Sequence, residues 1–307
     1  MVELPSAEMS GFITIHKGVD PDNIEYTSSF PNMILDTGLR EFGINTTYLK
    51  YCNVGSSGAA VSANQTGLQN KLYHSDTNQG AEQVGVNQDD PVNPFIYRRL
   101  TKRFPPKGVA YNVAEVGFGW NTENSCFNRA LVLDGSGAPV AISVQGNEYL
   151  DVTYEVRLYP PMQDTTGVVI PSGVDTSPRT WTARAAGGSG GTLSYNTSSG
   201  WSLGGGYVSG QSTSRPSAHA TSLSEVFAIP AGRIGLGGTS GGIMDSTGAG
   251  ATYSISFPLN EANSTFGVRS VSKPTLGPYF QIEFDPPFMK TDENELTISF
   301  RHSWGRR

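Results

Sequence analysis

The stretch Tyr149–Tyr159, YLDVTYEVRLY, decides the fold class. Leu150, Val152, Tyr154, Val156 and Leu158 occupy every second position, and Tyr149, Asp151, Thr153, Glu155, Arg157 and Tyr159 occupy the rest. A period of two places these sets on opposite faces of an extended chain, which predicts a half-buried β-strand. Pro160-Pro161 ends it, because proline has no N–H to give to a ladder. Working outward, the same alternation recurs at Ala114, Val116, Phe118 and Trp120, then at Val140, Ile142 and Val144. Near the end it returns at Phe280, Ile282 and Phe284, and at Leu296, Ile298 and Phe300. RALVLD (129–134) is nearly all apolar, as a central strand would be, and DGSG (134–137) reads as a hairpin turn.

Composition agrees with many short strands joined by turns. Glycine numbers 37 and proline 19, and only 16% of residues are charged. The 307 residues suffice for one large domain or two medium ones. A net charge of −6 argues against a nucleic-acid partner, which calls for a basic face. Arg98, Arg99, Lys102, Arg103 and Lys107 do cluster, and they read as a charged edge strand that discourages unwanted pairing. Cys52 and Cys126 lie in apolar runs and are expected to be buried free thiols. MVELPSAEMSG carries acids and a proline where a secretory leader has a basic and then an apolar region. No run of 18 apolar residues exists, so no membrane-spanning helix is expected.

The helical departure from this pattern lies in Phe30–Leu72. Leu35, Leu39 and Phe42 share one helix face, Asn32 can cap its start and Gly43 can end it, predicting a short helix over 32–42. Gly38 in its middle costs about 1 kcal/mol relative to alanine, so the helix needs a core to lie on. A strand (Tyr48–Val54) and a loop, SSGAAVSANQTG (56–67), follow, and the polar residues 74–94 read as a long exposed loop.

Two modules are expected, 1–160 and 165–307, joined by a connection that carries the short strand GVVIP. NEYLDVTYEVRLY (147–159) and NELTISFRHSW (294–304) end them alike, which suggests an internal repeat. The expected fold is mainly β: two antiparallel β-sandwich, jelly-roll-like modules with one short helix near the N-terminus. A Gly/Ser-rich insertion, 187–214, carries Tyr195, Trp201 and Tyr207. A plain linker would not hold those aromatics, so they are the candidate subunit or receptor contacts.

Chemistry is sparse. His16, His74, His219 and His302 show no metal-ligand spacing, and His302 continues the inward face between Phe300 and Trp304 as a packed histidine. GRIGLGGTSGG (232–242) follows a strand-like run but precedes no amphipathic helix and lacks the phosphate-loop lysine. Asp20, Asp22, Asp89, Asp90, Asp285, Asp292 and Glu293 form no pair placed for acid–base work. No catalytic, cofactor-binding or metal-binding residue is therefore assigned, and no cofactor is expected.

PNMILDTGLREFG (31–43), followed by YCNVGSSG (51–58) and QTGL (65–68), resembles the start of tailed-bacteriophage virion proteins of the tail-fibre, tail-tip, baseplate or collar type. VAEVGFGW, RALVLDGSGAPVAI, YLDVTYEVRLYPP and the C-terminal YFQIEFDPPFMKTDENELTISFRHSWGRR continue the resemblance. The resemblance implies a non-enzymatic structural part, assembled in the host cytoplasm into the virion. It also implies a homo-oligomer whose partners are other virion proteins. A host-surface receptor-binding module, for glycan or protein, and a head decoration or head-fibre protein are the alternatives. Without heptads, collagen triplets or β-helix rungs, the chain reads as a compact piece and not a long shaft.

Overall fold

The computed structural model describes residues 1–20, 24–44, 47–87, 89–90, 92–159, 161, 163–170, 172–173, 177–186, 238–239, 243–245, 248–261, 263, 268–274 and 279–307. The first elements are β1 (Val2–Glu3), β2 (Ala7–Gly18), β3 (Tyr26–Pro31), β4 (Met33–Ile34), helix α1 (Asp36–Ile44), β5 (Tyr51–Gly55) and β6 (Lys71–Ser75). Next come β7 (Gln83–Asn87), β8 (Phe95–Phe104), β9 (Tyr111–Val113), β10 (Glu115–Gly119), β11 (Asn128–Leu131), β12 (Ile142–Val144) and β13 (Tyr149–Tyr159). The last are β14 (Thr165–Val169), β15 (Arg179–Ala186), β16 (Gly238–Thr239), β17 (Ile243–Met244), β18 (Gly250–Phe257), β19 (Val268–Pro274), β20 (Tyr279–Phe288) and β21 (Leu296–Arg306). The chain is mainly β, with several antiparallel sheets and one short helix among the described residues.

Contacts gather the chain into two compact units, neither of them a continuous stretch. One holds Met1–Glu8, Val86–Phe95 and Tyr159–Gly305. In it β21 pairs with β18 and, in parallel, with β1, while β14, β15, β20 and β19 form a four-stranded sheet in that order. Val2, Val169, Trp181, Phe257, Ile282, Phe284, Phe288 and Phe300 share its apolar core. The alternation read from Leu296, Ile298 and Phe300 holds: all three are buried, and so are His302 and Trp304, whose rings meet edge-on.

The other unit holds Met9–Gly85, Ile96–Leu158 and Arg306–Arg307. Here β3, β2, β13 and β8 lie side by side, with β7 beyond β8. A second sheet runs β4-β11-β10-β5-β6. The sheets meet through aromatic side chains: Tyr154 of β13 stacks on Phe118 of β10, ring centroids 5.1 Å apart, and touches Phe127. Such contacts add to what area burial alone contributes. Burial pushes the Tyr154 phenol far above its ordinary range.

Three expectations need correction. The helix starts at Asp36 and not at Asn32, because Met33 and Ile34 pair with β11 as a short strand first. Leu35 stands just before the helix, its carbonyl accepting the Leu39 N–H at 3.0 Å. The stretch 74–94 is no single loop, since its start completes β6 and Gln83–Asn87 within it forms β7. Nor is the basic run an edge, because β8 lies between β13 and β7. Its arginines each meet a carboxylate: Arg98 meets Glu82, Arg99 meets Glu155, and Arg103 meets Asp151. Lys102 reaches the Asp76 carbonyl and the Asn78 side chain.

Gly38 finds the core it requires. A Cβ there would lie 2.0 Å from the Phe127 carbonyl oxygen, so glycine lets the helix sit directly on that backbone.

Candidate functional site

Two constructions in the unit built on β2, β8, β10 and β13 carry polar chemistry. The first is an ion pair inside the second sheet. Glu115 opens β10 and Arg129 lies on β11, and the register Glu115↔Leu131 puts both side chains on one face. Both are fully buried, with Arg129 Nε donating to Glu115 Oε2 at 2.8 Å.

Every remaining bond of the pair goes to the loop after β5. Glu115 Oε1 accepts the N–H of Asn70 at 2.7 Å and of Ser57 at 3.3 Å, and Oε2 accepts that of Gln69 at 3.0 Å. Arg129 donates to the carbonyls of Ala59 (2.9 Å) and Ala60 (3.1 Å) and to Gln65 Oε1 (2.8 Å). Gly55 makes room for this, since a Cβ there would lie 2.6 Å from Glu115 Oε1. A buried charge pair is tolerated when hydrogen bonds satisfy its remaining donors and acceptors, and here backbone groups do so.

Further ties hold the loop along its length. Asn124, with φ of 77°, accepts from Leu68 N at 2.9 Å and donates to Leu68 O at 2.8 Å, as a strand partner would. The Ala63 carbonyl accepts the Asp36 N–H at the start of α1, and the Thr66 carbonyl accepts the Cys126 N–H, both at 2.8 Å. The loop is therefore built from below and exposed above, with Gly58, Ala59 and Ala60 facing solvent.

The second construction is a groove of about 360 Å³ on the outward face of β3, β2, β13 and β8. Phe12, Thr14 and His16 come from β2, Ser29 from β3, and Arg99 from β8. Thr153, Glu155 and Arg157 come from β13. Glu155 Oε2 accepts Arg99 Nε at 2.7 Å and also Arg99 Nη2, and Oε1 accepts Arg157 Nε at 2.6 Å. The Arg157 guanidinium lies over the Phe12 ring, 4.2 Å from its centroid. Hydroxyls pair across strands, Thr14 donating to Ser29 at 3.1 Å and Thr101 meeting Thr153 at 2.8 Å. Next along the same face, Arg103 grips Asp151 with two bonds, of 2.8 and 2.7 Å. The hydrogen bond to Asp151 raises the Arg103 pKa further.

The candidate contacts Tyr195, Trp201 and Tyr207 lie outside the described residues. Glu115 and Arg129 escaped the sequence reading, although each stands out as a charge inside an apolar strand. Two opposite charges in successive apolar strands, joined through a glycine-rich loop, were the available signal. The cysteines are both buried and free, as expected. Burial pushes the Cys126 thiol up to about 12 and raises that of Cys52 well above its ordinary value. Among the described residues no three His, Cys, Asp or Glu side chains gather to hold a metal ion. No helix among them is long and apolar enough to cross a membrane. Comparison with family models, curated proteins and solved structures finds no match to this chain.

Proposed function

We propose that the chain is a structural component of a tailed-bacteriophage particle. In this reading it belongs to the tail, at the collar, the baseplate or tip, or a fibre attachment. Its two units are antiparallel sandwich modules that form a symmetric oligomer and bind other virion proteins, after assembly in the host cytoplasm. It works by contact and catalyses no reaction.

The observation that carries this reading is the loop held by Glu115 and Arg129. The segments that resemble phage virion proteins are 31–43, 51–58, 65–68, 113–120, 129–142, 149–161 and 279–307. Of these, the first five are distant in sequence yet gather at α1, the β4-β11-β10-β5-β6 sheet and this loop, whereas the last two supply β13, β20 and β21 in other sheets. A loop whose interior bonds are complete before a partner arrives loses little conformational freedom on docking. Small side chains at its tip let a partner's backbone approach closely.

A photo-crosslinking residue at Ala60 tests the proposal in assembled particles. Capture of another virion protein, or of a second copy, is the expected result. Purified infectious particles that lack this chain altogether would sink the proposal.

A further inference from the structure

The groove on the outward face of β2 and β13 lies apart from the loop, and the assembly role leaves it without a task. We infer that it binds a hydroxylated carboxylate, the chemical class of the uronic acids. This inference does not depend on the virion reading.

Charge is the first reason. Two guanidiniums, those of Arg99 and Arg157, converge on the single carboxylate of Glu155, so the cluster carries a net positive charge. The carboxylate is buried, whereas the side chains of Arg99 and Arg157 are 44% and 27% exposed. Glu155 thus works from beneath, holding Arg99 through Nε and Nη2 and Arg157 through Nε, while the exposed Gln83 side chain accepts Arg99 Nη1 at 3.2 Å and would give way to a ligand carboxylate there. An oriented guanidinium fork matches a ligand carboxylate in shape as well as in charge.

The hydroxyls are the second reason. Thr14 and Ser29 stand across the groove from the arginines. Their mutual bond engages one donor, and each hydroxyl oxygen keeps acceptor capacity for a ligand hydroxyl. Phe12, whose ring face lies under the Arg157 guanidinium, holds that cation in place and adds apolar surface at the edge of the groove. A volume of about 360 Å³ falls within the range of small-ligand sites. Neighbouring strands supply every one of these groups, so the site is set by sheet register and needs no backbone rearrangement to form.

The test is titration of the full-length protein, followed by NMR or calorimetry, with glucuronate, glucose, acetate and inorganic phosphate as separate probes. Glucuronate is expected to bind at least about tenfold more tightly than the other three, because only it uses both halves of the groove. Arg99→Gln should weaken glucuronate binding by about tenfold or more, and Thr14→Val by a smaller factor, with both variants still folded by circular dichroism. Arg157→Lys provides a second variant that keeps the charge and removes the fork. Glucose bound as well as glucuronate would overturn the role of charge. Acetate or phosphate bound as well would overturn the role of the hydroxyls. No glucuronate binding, or binding indifferent to both arginine variants, would overturn the site itself.

Discussion

Glu115–Arg129 and Asp151–Arg103 are the same chemical pair in two settings. Each joins a carboxylate to a guanidinium on an adjacent strand of one unit, at 2.8 Å and 2.7 Å. Distance does not separate them; surroundings do. The first is wholly buried and spends its other bonds on loop groups, whereas the second is part-buried, with 22% of the Arg103 side chain reaching solvent. A pair closed off from water becomes a structural requirement once made, because losing either partner strands a charge. A pair in contact with water is weakly coupled and screened by salt.

The largest test of that contrast is Arg129→Met. It leaves Glu115 buried without a counter-charge and should cost about 3–5 kcal/mol in chemical denaturation. Amide exchange at Gln69 and Asn70 should speed up as the loop loosens. Adding Glu115→Leu should recover part of the loss, though three loop N–H groups then lack an acceptor. A loss under about 1 kcal/mol for the single variant would contradict the buried-pair account.

Gly38→Ala comes next. Helix propensity alone favours alanine by about 1 kcal/mol. The Phe127 carbonyl leaves no room for the new methyl, so a net loss of about 1–3 kcal/mol is expected. A stabilised variant would show that α1 stands off from that backbone.

Asp151→Asn should then cost about 1 kcal/mol or less, and the difference from the native protein should shrink in high salt. A salt-independent loss near that of Arg129→Met would erase the distinction between the two settings.

The smallest effect is one of pH. Burial alone would raise the Glu148 carboxyl, but hydrogen bonds from Lys17 Nζ and the Gln145 N–H outweigh it and hold it below its ordinary range. A depressed carboxyl stabilises the fold above the unfolded glutamate range, near 4.3, and that stability is lost as pH falls through the folded value. Between about pH 5 and about pH 3 the melting midpoint of Glu148→Gln should therefore fall less than that of the native protein. Equal falls would mean that Glu148 titrates alike in both states.

The strands were legible wherever one face is apolar. Tyr149–Tyr159 announced β13 by strict alternation, and Leu296 to Trp304 announced β21 in the same way. What alternation could not show is how far the polar face of β13 is covered. Asp151 and Glu155 are both buried because guanidiniums from β8 and β13 lie over them, and sequence distance hides such neighbours. The helix start was misplaced for a related reason. Asn32 has the chemistry of a cap, but β11 takes Met33 and Ile34 into a sheet, and tertiary pairing outweighs a local preference. The loop's anchors were hidden because Glu115 falls on the glycine side of β10, where a solvent-facing position looks the same as a buried charge with room around it.

The parallel pair of β1 and β21 sets Val2 beside Phe300. Chain closure of that length carries a high entropic cost and forms late, after local hairpins such as β2–β3. β18 gains its β21 partner only when the last strand is made, and it waits with Ile255 and Phe257 ready for burial. A translation product that stops before Leu296 presents β18 as an open, apolar edge, and such a fragment is expected to aggregate instead of folding.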